Sequence, residues 1–489
     1  MLLTELIDNA TATATARGGD PEIRGLTADS RTVEPGYLFA ALAGRRSNGA
    51  DFVADAVARG AVAILGADDL APGPAIDAAV IRDANPRRRL AEVAARFHPR
   101  QPPNIVAVTG TNGKTSVVHF TDRIWHALGQ RSGTIGTLGA RWRGHAETLP
   151  TTTPEPVALH RLLDRLAAED VAHVAIEASS HGLDQHRLDA VRIDHAGFTN
   201  LSHDHLDYHG SREAYLAAKA RLFAELLRPG GTAVLNADDE AFDHLAGIGR
   251  ARGRAVLGYG AAAADIRVAG RRPAGDGQHV DLELRGRRYS VRLPLVGDFQ
   301  LANALCALGL AIASGAAEAE AVAALERLTV VPGRLEKVAA RRTGAAVYVD
   351  YAHTPGALER ALGALRQVVP GRIVAVIGAG GERDRDKRPL MGAVAARLAD
   401  LVIVTDDNPR GEDPAAIRRA VLSCCGKATE IGDRAAAIRA GLRLLGAHDA
   451  LLIAGKGHES GQRIGARTLP FDDREVARRA LAEIERGEP

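Results

Sequence analysis

The segment GTNGKTS, residues 110–116, combines residue types and spacing that suit the binding of a phosphate. Backbone N–H groups of such a loop can cradle the anion, Lys114 offers a point charge, and Thr115 offers a hydroxyl for Mg²⁺. Only two residues separate Gly110 from Gly113, so the spacing departs from the full motif of nucleoside triphosphatases and is weaker evidence. The alternative is a tight strand–helix turn with an incidental lysine. The segment predicts a nucleotide phosphate site.

Polar side chains cluster again at three later points. Glu177, in IEASSHGLDQHR (176–187), is expected at a strand end, where a carboxylate can reach a metal ion held by a nucleotide; a surface carboxylate is the alternative. TNLSHDHLDYHG (199–210) holds three histidines and two aspartates, but its spacing matches no zinc signature, and each histidine alone favours a structural or solvated role. Lys219 lies in AYLAAKARLF, an amphipathic helix on which an exposed lysine with a buried stem is the simplest expectation.

Four polar loops in the last third of the chain each follow a short apolar run. They are DYAHTP (350–355), GAGGERDRDKRP (378–389), DDNPR (406–410) and GKGHE (455–459). In an open parallel sheet, ligands bind beyond the carboxyl ends of the strands. The four loops together therefore predict a ligand site, although any one of them alone also fits an ordinary connection.

Strands and helices in alternation must position these groups. The β-branched run 104–109 predicts a buried strand, followed by a helix near 116–128, and further strands are expected at 171–176, 195–199 and 232–236. Later strands are expected at 346–350, 373–377, 401–405 and 450–454. The pattern predicts an α/β protein of three domains, with bounds at 1–99, 100–332 and 333–489. The first is a small α/β domain, the second a P-loop ATPase-like, mostly parallel sheet, and the third a Rossmann-like sheet.

Composition narrows the class of protein. The 489 residues are 46% hydrophobic and 25% charged, as in an ordinary globular protein, and the net charge of +2 gives no reason to expect a nucleic-acid partner. The first ten residues lack the basic region of a secretory signal, and no apolar run approaches the length of a membrane span. The three cysteines show no metal-ligand spacing. We therefore expect a cytoplasmic protein without membrane insertion.

Lysine is scarce in this chain. Only six of the 62 basic residues are lysines, at positions 114, 219, 337, 387, 427 and 456. Where this sequence can use arginine it usually does, so a lysine beside a glycine-rich loop is less expected to be generic surface charge.

Ten motifs in one order resemble those of the Mur ligases, which are ATP-dependent amide-bond ligases. They are GTNGKTS, TTTP, EASSHGL, NLSHDHLDYH, AAKARLF, GDFQLANALCALG, PGRLE, DYAHTP, DNPR and GKGHE. With DSR at 29–31, the resemblance extends over nearly the whole chain, and ten motifs in one order are highly specific although several alone are weak. DNPR further resembles the members of the family that add diaminopimelate, since the lysine-adding relatives differ at this motif.

The resemblance implies ATP as a substrate and Mg²⁺ as a cofactor. Its ATP-binding positions are Gly110, Thr111, Asn112, Gly113, Lys114, Thr115, Ser116, Asn303, Arg334 and Asp350. Its metal ligands are Thr115, Glu177, His205 and Lys219, the last as a carbamate (N6-carboxylysine), an oxygen ligand that suits a hard cation. Lys114, Lys219 and His205 are the implied catalytic residues.

The resemblance also implies two further substrates, UDP-MurNAc-L-Ala-D-Glu in the first two domains and meso-diaminopimelate in the third. The implied contacts to the muramoyl dipeptide nucleotide are Ser30, Arg45, Arg46, Ser47, Thr152, Thr153, Ser179, Gln185 and Arg187. Those to diaminopimelate are Arg383, Asp407, Asn408, Pro409, Arg410, Gly455 and Glu459. A monomer is expected.

Charge supports the diaminopimelate assignment. The end of diaminopimelate that does not react carries a carboxylate and an ammonium. Arg410 offers a planar fork for the carboxylate, and Asp407 and Glu459 suit the ammonium. L-lysine lacks the distal carboxylate and would leave Arg410 unpaired. The alternative is that Arg410 forms a surface ion pair with Asp407 or Glu412, which would contribute only about 0–1 kcal/mol.

The implied reaction passes through an acyl phosphate on the γ-carboxylate of D-glutamate, which the diaminopimelate amine then attacks. His353 and His181 are conceivable acceptors of the amine proton, and the sequence assigns neither. Domain closure is expected, because the third-domain pocket must reach the central phosphate site. Other readings are a lysine-adding or folylpolyglutamate synthase-like ligase, a P-loop switch or motor ATPase, and a non-catalytic nucleotide-binding protein. DNPR and the full N-terminal segment disfavour the other ligases, and the short spacing of the glycine-rich loop and the C-terminal loops disfavour the switch or motor ATPase. A non-catalytic nucleotide-binding protein would show no turnover.

Overall fold

The chain forms three large sheets and a separate hairpin in the computed structural model, which describes residues 1–7, 13–15, 20–44, 47–71, 77–202 and 204–486. The expected α/β architecture with mostly parallel sheets is confirmed. No helix in these ranges combines the length and the apolar character that crossing a bilayer requires.

The first sheet has five strands in the order β1-β5-β4-β3-β2, with β1 antiparallel and the others parallel. Its strands are Thr13–Thr15 (β1), Gly25–Thr27 (β2), Tyr37–Ala40 (β3), Ala63–Gly66 (β4) and Ala79–Arg82 (β5). Its helices are Leu3–Leu6 (α1), Val53–Ala58 (α2) and Pro86–Phe97 (α3), with 3₁₀ turns at Ser30–Thr32 and Gly49–Phe52. Pro86 at the first turn of α3 and the Asn85 cap, which accepts from Arg88 N, begin that helix.

The second sheet has eleven strands, and a parallel centre carries the chemistry-bearing loops. Its strands are Asn104–Thr109 (β6), Ser132–Gly136 (β7), Gly139–Trp142 (β8), His145–Glu147 (β9), His173–Glu177 (β10), Ile193–Phe198 (β11), Leu227–Asn236 (β12), Ala255–Gly260 (β13), Ile266–Ala274 (β14), Gly277–Leu284 (β15) and Arg287–Leu293 (β16). The middle of the sheet runs β12-β11-β6-β10-β7, all parallel, and antiparallel strands finish both edges.

Eight α-helices accompany this sheet within the described chain. They are Lys114–Ala127 (α4), Pro156–Ala168 (α5), Ser180–Asp184 (α6), Leu206–His209 (α7), Arg212–Arg221 (α8), Phe242–Ala251 (α9), Asp298–Ala313 (α10) and Glu318–Ala324 (α11). A π-helical turn, Leu222–Leu226, follows α8, and a 3₁₀ turn, Leu325–Arg327, follows α11. Almost all of α10 is buried, because it packs against α4 and the sheet at once.

The third sheet has the order β17-β18-β22-β19-β20-β21, with only β17 antiparallel. Its strands are Glu336–Ala340 (β17), Ala346–Asp350 (β18), Ile373–Ile377 (β19), Leu401–Val404 (β20), Thr429–Glu430 (β21) and Ala450–Ala454 (β22). Its helices are Pro355–Val368 (α12), Lys387–Leu398 (α13), Pro414–Leu422 (α14), Arg434–Arg443 (α15) and Asp473–Glu485 (α16). The hairpin Gly461–Ile464 (β23) and Arg467–Pro470 (β24) lies between β22 and α16.

Candidate active site

A cleft of about 590 Å³ lies between loops of the second and third sheets. Its walls come from the carboxyl ends of β6 and β10 on one side and of β18, β19, β20 and β22 on the other. This volume is within the range of small-molecule sites in proteins. The predicted positions that line it are Thr111, Asn112, Gly113, Lys114, Thr115, Ser116, Thr152, Glu177, Ser179, His205, Lys219, Asn303, Arg334, Asp350, Arg383, Asp407, Asn408, Arg410, Gly455 and Glu459.

The glycine-rich loop joins β6 to α4 and begins the helix with Lys114. Gly113 has φ +91°, and a side chain there would collide with Asn303, since an added Cβ would lie 2.2 Å from Asn303 Oδ1. Lys114 Nζ folds back onto the loop and donates to the carbonyl oxygens of Gly110, at 2.8 Å, and Thr111, at 2.9 Å. Burial lowers the pKa of Lys114, while Glu177 and Asp204 oppose that shift. The loop therefore places a cation beside the N-terminus of a fourteen-residue helix, as phosphate binding requires.

Glu177, the last residue of β10, is buried with a set of hydroxyl partners. Thr115 Oγ1 donates to Glu177 Oε2 at 3.0 Å, and Thr137 donates through its backbone N to Oε1 at 2.8 Å. Thr115 Oγ1 also accepts from Arg334 Nη2 at 3.1 Å. A buried carboxylate whose hydrogen-bond partners are uncharged retains the capacity to bind a cation.

Lys219 is buried, with 1% of its surface exposed, so the expectation of an exposed lysine is wrong. Its Nζ donates to Gly110 O at 2.9 Å and lies 4.2 Å from the ring centroid of Tyr215. Burial, reinforced by the nearby charge of Lys114, holds the pKa of Lys219 well below its usual range. Helix α8 packs on α6 and α7, and its buried Tyr215 and Lys219 both bind the glycine-rich loop.

His205 begins α7 in a left-handed conformation, with φ +53°. Its Nε2 lies 3.5 Å from Asp204 Oδ2, and its ring lies 4.8 Å from that of His181. Burial lowers the pKa of His181 to about 4, so the His181 ring is neutral at pH 7. Within the described residues, no three His, Cys, Asp or Glu side chains are grouped to hold a metal ion. His203, in the same cluster, is outside the described residues.

Three predicted ATP contacts line the cleft near the join of the two sheets. Asn303, on α10, donates to Gln300 Oε1 at 3.1 Å. The guanidinium of Arg334 stacks 4.5 Å from the Tyr351 ring centroid. Asp350 ends β18 and accepts from the backbone N of Leu335 and Ala352, and burial raises its pKa to about 6.

Two guanidinium groups converge at the carboxyl edge of the third sheet. Arg383 follows β19 and Arg410 follows the neighbouring strand β20, and both lie beside Gly380. Arg410 Nη1 donates to Gly381 O at 2.6 Å. Glu412, which the sequence offers as a possible partner of Arg410, is instead bound by both Nη atoms of the buried Arg388 at 3.0 Å. Glu412 is therefore not the partner of Arg410, and Arg410 lines the cleft.

The acidic side of the same pocket comes from the ends of β20 and β22. Gly455, with φ +118°, passes so close to Asp407 that an added Cβ would lie 2.4 Å from Asp407 Oδ2. Asn408 Nδ2 donates to Glu459 Oε2 at 2.8 Å. Asp407 and Asn408 are each 7% exposed, so their geometry is fixed before any ligand arrives.

The residues expected at the muramoyl dipeptide form a connected group behind Glu177. Thr153 Oγ1 donates to Glu177 O at 2.7 Å and lies 3.0 Å from Ser179 Oγ. Arg187 donates to Thr153 O at 2.8 Å and to Gln185 Oε1 at 2.7 Å. Thr152 and Ser179 reach the cleft, whereas Gly110, Ser30, Ser47, Thr153, Gln185, Arg187 and Pro409 are not among the lining atoms of this cleft. Arg45 and Arg46 lie outside the described residues.

Several lining residues were not assigned from the sequence. They are Asp204, Tyr215, Tyr351, Arg360 and Lys387. Asp204 lies inside a polar cluster that sequence reasoning noted, and Lys387 is one of the six lysines, so each carried a weak signal. Tyr215 and Arg360 lie on helix faces that only the packing of the helices turns toward the cleft. The assembled site has the parts for phosphoryl transfer at one end and for recognition of a zwitterion at the other.

Comparison with known proteins gives three matches to family models along the chain. The Mur ligase family, catalytic domain, matches residues 22–98, the Mur ligase middle domain matches 108–311, and the Mur ligase, glutamate ligase domain, matches 333–457. The UDP-N-acetylmuramoyl-L-alanyl-D-glutamate–2,6-diaminopimelate ligase of Bradyrhizobium diazoefficiens is 52% identical, over 99% of each chain. That of Agrobacterium fabrum is 49% identical, over 96% of this chain and 95% of its own.

Solved structures point to the same family as the sequence matches. One of a UDP-N-acetylmuramoyl-L-alanyl-D-glutamate–2,6-diaminopimelate ligase has a TM-score of 0.69 at 34% identity and covers 95% of both chains. The MurF ligase of Thermotoga maritima in complex with ADP, at 19% identity and a TM-score of 0.63, shares the fold. The motifs, the cleft and the matches along the full chain lead to one conclusion: this chain belongs to the Mur ligase family.

Proposed function

We propose that this protein is an ATP-dependent, ADP-forming ligase that joins meso-diaminopimelate to the γ-carboxylate of D-glutamate in UDP-MurNAc-L-Ala-D-Glu, a step of peptidoglycan precursor synthesis. The observation that carries the proposal is identity of 52% over 99% of the chain to a ligase of that name. The cleft supports it, because one cavity contains both a phosphate loop and a pocket of paired opposite charges. We place the enzyme in the cytoplasm as a monomer.

We assign substrate-binding roles to three domains, with bounds at 1–99, 100–332 and 333–489. The first domain binds the uridine nucleotide through Ser30 and the stretch 45–47. The second binds ATP and the dipeptide, the latter through Thr152, Thr153, Ser179, Gln185 and Arg187. The third binds diaminopimelate through Arg383, Asp407, Asn408, Pro409, Arg410, Gly455 and Glu459.

ATP lies with its phosphates on the glycine-rich loop. The stretch 110–116 supplies backbone donors, and Lys114 supplies charge for the transferred phosphate. Asn303 contacts the adenine, Arg334 a phosphate and Asp350 the ribose. Arg334 donates to Thr115 of the glycine-rich loop, and its guanidinium stacks on the Tyr351 ring.

The residues around Glu177 fit Mg²⁺. The buried Glu177 carboxylate and the hydroxyl of Thr115 that donates to it would hold one Mg²⁺. His205 and Lys219, which line the same cleft, would hold a second if the Lys219 amine carries a carbamate. The Nζ–C bond then forms with CO₂, and the released proton passes to water. Bound Mg²⁺ neutralises phosphate charge.

The reaction proceeds in two steps. A γ-carboxylate oxygen of D-glutamate attacks the γ-phosphorus of ATP; the new O–P bond forms, the bond to the bridging oxygen breaks, and ADP leaves. The diaminopimelate nitrogen then attacks the carbonyl carbon of the acyl phosphate. The C–N bond forms, the C–O bond to phosphate breaks, and the amine proton passes to a base or to water. His353 and His181 both line the cleft, and burial lowers the pKa of each to about 4, so both are neutral acceptors at pH 7.

An amino-acid panel tests the proposed function. The full-length protein is incubated with ATP, Mg²⁺ and UDP-MurNAc-L-Ala-D-Glu, and phosphate release is followed with meso-diaminopimelate, L-lysine, L-glutamate or no amino acid. We expect phosphate and a tripeptide product with meso-diaminopimelate above all others. Equal phosphate release without an amino acid would identify an uncoupled ATPase, and preference for L-lysine would identify a different ligase.

A further inference from the structure

Lys456 is a buried lysine that does not line the cleft. It follows β22 in the loop 455–459 and has 0% of its surface exposed. Its Nζ donates to Gly461 O at 2.6 Å, Glu459 Oε2 at 3.1 Å and Asn408 Oδ1 at 3.2 Å. An ammonium has three N–H donors, and the fold supplies three acceptors for them.

These contacts join the two loops that form the acidic side of the diaminopimelate pocket. Asn408 belongs to the loop after β20 and Glu459 to the loop after β22, and the two side chains also bind one another at 2.8 Å. The hairpin β23–β24 also holds the loop after β20. Arg463 N donates to Asn408 Oδ1 at 2.9 Å, and Gln462 Nε2 donates to Asp407 O at 2.8 Å. Lys456 therefore acts on the pocket only through its neighbours.

The charges of these residues determine which kind of amino-acid end the pocket prefers. Lys456 gives Glu459 a cationic partner, whereas Asp407 accepts a hydrogen bond from an uncharged amide, Asn408 N at 2.7 Å. With Glu459 neutralised, Asp407 faces the guanidinium groups of Arg383 and Arg410, and Asp384 and Lys387 line the same cleft. Carboxylates beside cations match an amino-acid end that has both an ammonium and a carboxylate. An unpaired Glu459 would instead favour an ammonium alone.

We propose that Lys456 is a specificity-determining positioning residue, which neutralises Glu459 and locks Asn408 so that the pocket prefers a zwitterionic distal end to a lone ammonium. The inference rests on the proposed function, because it concerns selection of the amino-acid substrate. On this proposal, part of the selectivity against L-lysine comes from Lys456, a side chain that does not contact the substrate.

Three full-length variants test the role of Lys456. Lys456→Met keeps the length of the side chain and removes its charge and donors. Lys456→Gln removes the charge and keeps hydrogen-bond donors for Asn408 and Gly461. Lys427→Met is the matched control, since Lys427 is an exposed lysine of the same domain. For each variant the KM and kcat with meso-diaminopimelate and L-lysine, the KM for ATP and the thermal midpoint are measured.

We expect Lys456→Met to raise the KM for meso-diaminopimelate by roughly tenfold or more, and to leave kcat and the KM for ATP within about threefold of the parent. The KM for L-lysine should stay level or fall. Lys456→Gln should raise the KM for meso-diaminopimelate as well, because its uncharged amide leaves the Glu459 carboxylate without a cationic partner. Lys427→Met should match the parent.

An unchanged KM for meso-diaminopimelate in a folded Lys456→Met variant overturns the inference, as does an unchanged KM in a folded Lys456→Gln variant. If Lys456→Met does not fold, Lys456→Gln decides: a rise of roughly tenfold in the KM for meso-diaminopimelate supports charge neutralisation, and a KM within about threefold of the parent overturns it. The parent enzyme in the same assay separates the two hypotheses. Failure of the parent to use meso-diaminopimelate refutes the proposed function, whereas a parent that uses it beside unaffected variants refutes only the role of Lys456.

Discussion

Lys114 and Lys219 donate to the same atom, the carbonyl oxygen of Gly110, at 2.8 and 2.9 Å. Two ammonium groups so close repel one another, and each disfavours the charge of the other. A carbamate on Lys219 would convert this repulsion into attraction, because it replaces the second cation with an anion. Nucleotide phosphates would draw Lys114 away from the shared oxygen. Both lysines would therefore change their hydrogen-bond partners during the reaction.

Lys114→Ala should lower kcat by roughly a hundredfold or more and change the KM values for the substrates much less, because the lost charge acts on the phosphate in the transition state. Steady-state kinetics with varied ATP measures both constants. A near-normal kcat would show that the glycine-rich loop is not the phosphate site.

Lys219→Arg should be almost inactive, because a guanidinium retains the positive charge and does not form the carbamate. Lys337→Arg, at an exposed lysine, is the control and should keep the parent activity. Electron density of the parent crystal should show additional atoms on Lys219 Nζ. An arginine variant with substantial turnover excludes the carbamate role.

Arg410→Ala should reduce kcat/KM for meso-diaminopimelate by roughly tenfold to over a hundredfold, since the distal carboxylate loses its fork. The rate with L-lysine should change much less, so the preference between the two amino acids narrows. Arg467→Ala, an exposed position on β24, is the matched control. Equal loss with both amino acids would remove the reason for assigning diaminopimelate as the substrate.

Asp350 should make the protein less stable as pH rises through the acid range. Burial raises its pKa from 3.8 to about 6, so the folded protein retains a proton that the unfolded chain releases first. The free energy of unfolding then falls with pH, by up to roughly 3 kcal/mol from this group between about pH 4 and 6. Asp350→Asn should lack that component. Urea unfolding of both proteins at several pH values measures the difference, and parallel profiles would contradict the shift.

Arg434→Met should destabilise the third domain by roughly 3–5 kcal/mol, because it leaves the buried Asp473 carboxylate without its cationic partner. Arg434 binds Asp473 through two hydrogen bonds of 2.7 Å, and both side chains are fully buried. Arg434→Met/Asp473→Leu should recover most of the loss. Urea unfolding midpoints test this, and a double variant less stable than the single would contradict it.

Local sequence pattern was enough to predict the strands that carry the site. The expected bounds 346–350, 373–377 and 450–454 match the structure, since each run is apolar, β-branched and closed by polar residues. The strand predicted at 171–176 is displaced and spans His173–Glu177. The cause is that the chain enters the strand from a turn that follows α5.

Burial of single polar side chains was beyond the reach of local pattern. Lys219 lies on a helix whose sequence suits an exposed lysine, and only the packing of α8 under the glycine-rich loop buries it. The burial of Lys456 and Arg434 was beyond local pattern for the same reason, because their hydrogen-bond acceptors lie up to 48 and 39 residues away in sequence. The partner of Glu412 was likewise misplaced, since Arg388 comes from α13. Long-range contacts of this kind depend on the assembled fold.

The distribution of the six lysines has a practical consequence for attaching the protein to a support or a dye. Lys219 and Lys456 are fully buried, Lys114 and Lys387 line the cleft, and Lys337 and Lys427 are exposed. Apart from the N-terminal amine, Lys337 and Lys427 are therefore the most exposed amines, and both belong to the third sheet region, residues 333–489. Coupling confined to these two would attach the molecule through that region alone and leave both sides of the cleft unmodified.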